Sequence, residues 1–212
     1  MPTTRKVASI AFAGATASAT LALAMNPALA VNGIWYIKAA DALFHGTVTG
    51  KNKGTIKFHD VTHPVTVTCT SVTGSGSAPH SKVTGTPARL GTIKKASLSH
   101  CSFLGVTFRG HLTQAASVFG STYKNGATKG RIRHLHAVWS GVGNNCQLSG
   151  SGSLPGSYKN ASHTLIADPA GQATMTITHE NVGCPIVKQG DKFDVQGTFP
   201  VGRPKSLTAS DP

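Results

Sequence analysis

The chain has 212 residues, with 20 lysines and arginines against seven acidic residues and a formal charge of +13. That length holds one domain with a real core, or two small ones. The charge attracts polyanions without selecting among them, and seven acids leave few pairs for two-carboxylate catalysis.

In chain order, the first feature is a leader. Arg5 and Lys6 precede an apolar stretch over 7–25, Pro27 follows, and Ala28-Leu29-Ala30 offers a small-x-small cleavage site. The expectation is a secretory signal peptide over 1–30, cut between Ala30 and Val31. No later segment is apolar enough to span a bilayer as a helix. Removing Arg5 and Lys6 leaves 18 basic against seven acidic residues in the mature chain, a formal +11.

The mature chain reads as β throughout. "WYIKAADALF" at 35–44 is the one candidate for a short helix. "HGTVTG" and "GTIKFHD" flank a glycine-bounded turn, and "VTVTCTSV" and "ATMTITHE" alternate with period two and are rich in Val and Thr. "TIKKASLSHCSF" and "KFDVQGTFPV" follow the pattern less tidily. Gly and Pro punctuate at Gly74 to Pro79, Gly85 to Pro87, Pro155-Gly156 and Pro169 to Gly171. In "RHLHAVWSG", Leu135, Ala137 and Trp139 share one strand face, the pattern of a buried side. The fold class expected is all-β, an antiparallel sandwich or barrel, over 31–202. A loose tail over 203–212 follows.

Four cysteines, Cys69, Cys101, Cys146 and Cys184, all lie in the exported part, where an even count reads as disulfides. They allow three pairings, and an internal echo chooses among them. Cys69 precedes Gly74-Ser75-Gly76-Ser77, and Cys146 precedes Gly150-Ser151-Gly152-Ser153, each read as a turn. A second cysteine comes 32 residues after the first in one half and 38 in the other. An alternating phrase with a central glycine then recurs at Gly110 and Gly197, where a bend or bulge is expected. Two similar halves, about 46–115 and 131–202, follow from this, with Cys69 joined to Cys101 and Cys146 to Cys184. No cysteine pair has the close spacing of a zinc knuckle.

Catalytic motifs are missing. The Gly-x-Gly pairs lack the third glycine of a dinucleotide loop, and no Gly-x-Ser-x-Gly elbow occurs. Among ten histidines, His59 and His63 bracket Asp60, and His134 and His136 alternate along one strand. Histidines so placed can bind copper or zinc, but scattered surface histidines on a Thr-rich sheet are the preferred reading. No catalytic residue, cofactor or metal is assigned.

"VTCTSVTGSG", "GNNCQLSGSGSLPGSYKNASHTL" and "VGCPIVKQGDKFDVQGTFPV" resemble exported β-proteins of actinobacteria that carry a cysteine before a glycine turn, a Tyr-x-Asn segment and a Gly-Cys pair. The resemblance is strongest from Gly141 onward. "HLTQAASVFGSTYKNGATKG" departs from it by lacking a Pro-Trp pair. It implies a secreted bacterial β-domain with conventional disulfides and no particular activity. The function expected is a non-catalytic extracellular binding or structural module with a basic surface. Its partner would be an extracellular polyanion or cell-wall polymer, with nucleic acid bound only non-specifically. The alternatives are a protease inhibitor or toxin-like effector, presenting 74–82 or 150–159 as a rigid loop, and a small hydrolase built from Asp60, His59, His63, His134 or His136.

Overall fold

A computed structural model describes residues 33–167, 175–181, 183–184, 187–204 and 207–210. The expected signal peptide and its Ala30/Val31 junction lie outside the described residues. The β-rich texture of the chain becomes fifteen strands and no helix among the described residues.

Eight antiparallel staves in chain order form the body. They are β3 (Gly46–Lys51) with β4 (Ile56–Asp60), β5 (Val65–Ala78), β7 (Ala88–Phe103), β8 (Val106–Leu112) with β9 (Ala116–Lys124), β10 (Ala127–Gly141), β11 (Gln147–Lys159), β12 (Thr164–Ala167) with β13 (Met175–Glu180), and β14 (Lys192–Arg203). Each stave pairs with the next. The last then returns to the first: Phe193 pairs with Asp60, Gln196 with Lys57 and Val201 with Gly50. The sheet therefore closes on itself as an up-and-down barrel, leaving no free edge among its eight staves. The choice between sandwich and barrel, open in the sequence, is settled by this seam.

Two of the split staves, β3 with β4 and β8 with β9, are strands with a local interruption. Between β3 and β4, Asn52 donates its backbone N–H to Val72 O and accepts from Val72 N through its side chain, at 2.9 and 2.8 Å. The side chain thereby replaces the ladder bonds that the break removes. Two further irregularities are bulges. The register shifts between Leu98 and Cys101, where His100 has φ 51°, and between Ile132 and Leu135, where His134 has φ 59°. Each bulge lets apolar residues on both sides of it point inward.

Four short strands, β1 (Ile34–Ala39), β2 (Ala42–Leu43), β6 (Lys82–Thr84) and β15 (Leu207–Ser210), form a second sheet with β1 paired to the other three. Trp35, Ile37 and Ala209 pack there against Ala78, Ala88 and Leu90, so this sheet caps one barrel end. Two expectations are corrected here. Residues 35–44 are a hairpin rather than a helix, because Trp35 and Ile37 alternate inward and Ala40 and Asp41 turn the chain at φ 48° and 65°. The tail is not loose over 207–210, because β15 pairs with β1 and buries Ala209.

The cysteines pair as the echo requires, Cys69 with Cys101 and Cys146 with Cys184. The first bond ties the second stave to the third. The second ties the start of the sixth to the loop after the seventh. The first four staves run over 46–124 and the last four over 127–203, with the bonds in corresponding places. The glycine-serine phrases are not turns: both lie inside long strands, β5 and β11. Consequently 74–78 and 150–159 are staves of the barrel rather than projecting loops.

Candidate functional site: an apolar cavity inside the barrel

The side chains facing inward decide what the barrel can hold. Toward the rim away from the cap, Phe58, Phe103, Phe108 and Phe193 belong to a dense core with Leu148 and Ile177. Toward the cap lies the separate cluster around Trp35. Between the two is a cavity of about 290 Å³ whose lining is drawn from all eight staves and the cap, and is almost wholly apolar.

The space exists because small residues stand where larger ones would fill it. Gly74, Gly76, Ala78, Gly91, Ala137 and Ala167 are among its lining. At Gly76 a Cβ would meet Thr92 O at 2.1 Å, so that backbone approach also demands glycine. At Gly74 the nearest atom would be Lys95 O at 3.6 Å, an ordinary contact. The remaining wall is bulky: Leu98, Leu135, Trp139, Leu154 and Phe199. Leu135, Ala137 and Trp139 thus share the buried face that their alternation indicates.

Tyr158 is the one lining residue with an ionisable group among those described. Burial pushes its phenol pKa well up from the usual 10, and its O–H donates to Leu207 O at 2.6 Å. The phenol is therefore neutral and tethers β11 to the cap sheet. Among the described residues no carboxylate, imidazole or amine borders the cavity, and its lining suits an apolar molecule.

The histidines singled out in the sequence do not converge. Asp60 and His63 come together near Asp191, at 3.6 and 3.3 Å from His63 Nδ1. His59 lies beside Thr66 Oγ1 at 3.1 Å. His134 and His136 stand exposed on β10, His134 at its bulge. Of the five residues named for a hydrolase, Asp60 and His63 are thus brought together, while His134 and His136 lie on a different stave. The cavity itself was missed from the sequence. Its trace was the run of glycines and alanines within otherwise β-forming segments, which reads as turns when the strands are not known.

No lysine or arginine among the described residues is buried, whereas Asp60, Asp191 and Asp194 are. No helix among the described residues is long and apolar enough to cross a membrane. Across three adjacent staves Arg89, Phe119 and Arg131 are direct register partners, and the Arg133 guanidinium stacks over the Phe119 ring at 4.7 Å. These three arginines are exposed and form a basic patch with an aromatic centre.

No family model, curated protein or solved structure matches the chain.

Proposed function

We propose that the mature chain is a secreted, non-catalytic binding module that carries a small apolar molecule inside its barrel. The observation that carries this reading is the 290 Å³ cavity kept open by glycine and alanine between two packed clusters. A cavity of roughly half that volume holds benzene. The ligand is therefore an uncharged molecule of roughly ten to fifteen non-hydrogen atoms, a medium-chain alcohol or a compact terpenoid in kind. The apolar leader, four cysteines without a free thiol, and the resemblance to exported actinobacterial proteins support export.

The test is displacement of a small uncharged fluorophore, 1-aminonaphthalene, from the disulfide-intact mature chain. Decanol should displace it and decanoate should not, because no cation lines the wall among the described residues. Gly74→Val and Ala137→Leu, which fill the cavity, should abolish uptake while keeping the native circular dichroism spectrum. Equal uptake by the filled variants would remove the reading.

A second partner class is favoured by the patch of Arg89, Arg131 and Arg133 around Phe119. It is an extracellular polyanion such as an anionic wall polymer, held without sequence selectivity. Retention on heparin should fall steeply with salt and fall again when the three arginines become alanine. Unchanged retention in that variant would place any polyanion contact elsewhere.

A further inference from the structure

The barrel's seam carries a second cluster, at the rim opposite the cap. Asp60 ends β4, His63 lies in the β4–β5 turn, and Asp191 immediately precedes β14. The first and last staves meet here. Asp60 is 0 % exposed and Asp191 3 %. Two buried carboxylates so close repel each other unless something positive is shared between them.

Each carboxylate spends one oxygen on the backbone and leaves the other facing His63. Asp60 Oδ1 accepts from Thr62 N at 2.8 Å and His63 N at 3.1 Å, a turn that fixes its orientation. Asp60 Oδ2 is buried with no hydrogen-bond partner and lies 3.6 Å from His63 Nδ1. Asp191 Oδ2 accepts from Lys188 N at 2.7 Å, while its Oδ1 lies 3.3 Å from His63 Nδ1. One ligand atom from each of the three residues lies within 4.8 Å of the other two. Metal–ligand bonds of about 2.0–2.2 Å place tetrahedral donors roughly 3.3–3.6 Å apart, the spacing of His63 Nδ1 from each oxygen.

We propose that Asp60, His63 and Asp191 bind a divalent transition-metal ion, zinc in kind, that clips the first barrel stave to the last. One imidazole nitrogen and two carboxylate oxygens suit zinc better than calcium or magnesium, which take six or more oxygens. Backbone N–H donors to Asp60 Oδ1 and Asp191 Oδ2 are the outer shell that aims the ligating oxygens. His63 is half exposed, so a fourth position opens to solvent. The ion would neutralise the buried pair and hold the rim by a site unconnected with the apolar cavity.

The experiment is zinc titration of the disulfide-intact mature chain against a chromophoric chelator, with the thermal midpoint as a second reading. Wild type should take up one zinc per chain in its tightest class and melt at higher temperature with zinc, while calcium has no effect. His63→Gln and Asp191→Asn should each weaken that class at least tenfold and lose the thermal shift. His59→Gln, one residue from Asp60 along β4, should keep both. Because Asp60→Asn could fail to fold, the half-exposed His63 is the deciding position. Zinc uptake and thermal shift unchanged in His63→Gln would overturn the site. So would a wild type without a one-per-chain class.

Discussion

Gly197 on the last stave faces Ile56 on the first, and a Cβ at 197 would lie 2.2 Å from Ile56 Cδ1. The same relationship recurs half-way round the barrel, where a Cβ at Gly110 would lie 2.7 Å from Trp139 Cδ1. Both glycines are cross-strand neighbours of a large inward side chain on the following stave. Both make room for that side chain.

Gly197→Ala should therefore destabilise by about 1–3 kcal/mol through overpacking. Ile56→Val deletes the clashing Cδ1 and should cost about 0.5–1.5 kcal/mol alone. The double variant should be more stable than the two losses summed, by about 0.5 kcal/mol or more. Urea unfolding of the four proteins checks it, and strict additivity would mean that 197 and 56 do not share this space.

Replacing either disulfide by a serine pair should cost about 3–4 kcal/mol, from the freedom restored to a loop of 32 or 38 residues. The two losses should be of similar size, because the bonds occupy corresponding places. Chemical denaturation of each variant measures this. A loss below about 1 kcal/mol at one position would separate the two halves energetically.

Tyr158 gives a pH dependence with a definite sign. Its folded pKa is raised above the unfolded value near 10, so the neutral phenol is favoured by folding. The stability this contributes is complete below pH of about 10 and is lost as the pH climbs from there toward the folded pKa. Alkaline unfolding should be steeper in wild type than in Tyr158→Phe. The variant should lose about 1 kcal/mol at neutral pH with its hydrogen bond to Leu207 O. Identical alkaline limbs would show that this phenol is not the titrating group.

The two tryptophans report on different places. Trp139 lines the cavity, whereas Trp35 lies fully buried in the cap, with Nε1–H donated to Gly85 O at 3.2 Å. Uptake of an apolar ligand should shift the emission of Trp35→Phe as in wild type and leave Trp139→Phe nearly silent. The opposite assignment would move the ligand out of the barrel.

Much of the fold could be read from local patterns. Val, Thr and the face of Leu135, Ala137 and Trp139 announce strands, and the cysteine echo gives the disulfide pairing. What escaped has physical causes. "TIKKASLSHCSF" alternates untidily because the bulge at His100 resets which side faces in. Trp35 and Ile37 looked helical for want of a partner, and their partners in β6 and β15 are about 50 and 170 residues away. Gly74 and Gly76 read as a turn because glycine serves both turns and close packing, and only register distinguishes them. The seam between β14 and β4, like the meeting of Asp60 with Asp191, joins the two ends of the barrel and leaves no local mark.

The most direct measurement is a crystal structure of residues 31–212 under xenon pressure. Apolar cavities of this size take up xenon. The expected result is xenon density enclosed by Leu98, Leu135, Trp139 and Leu154 in wild type, and none there in Ala137→Leu. A barrel whose side chains collapse to fill that space, with no xenon inside, would contradict the account.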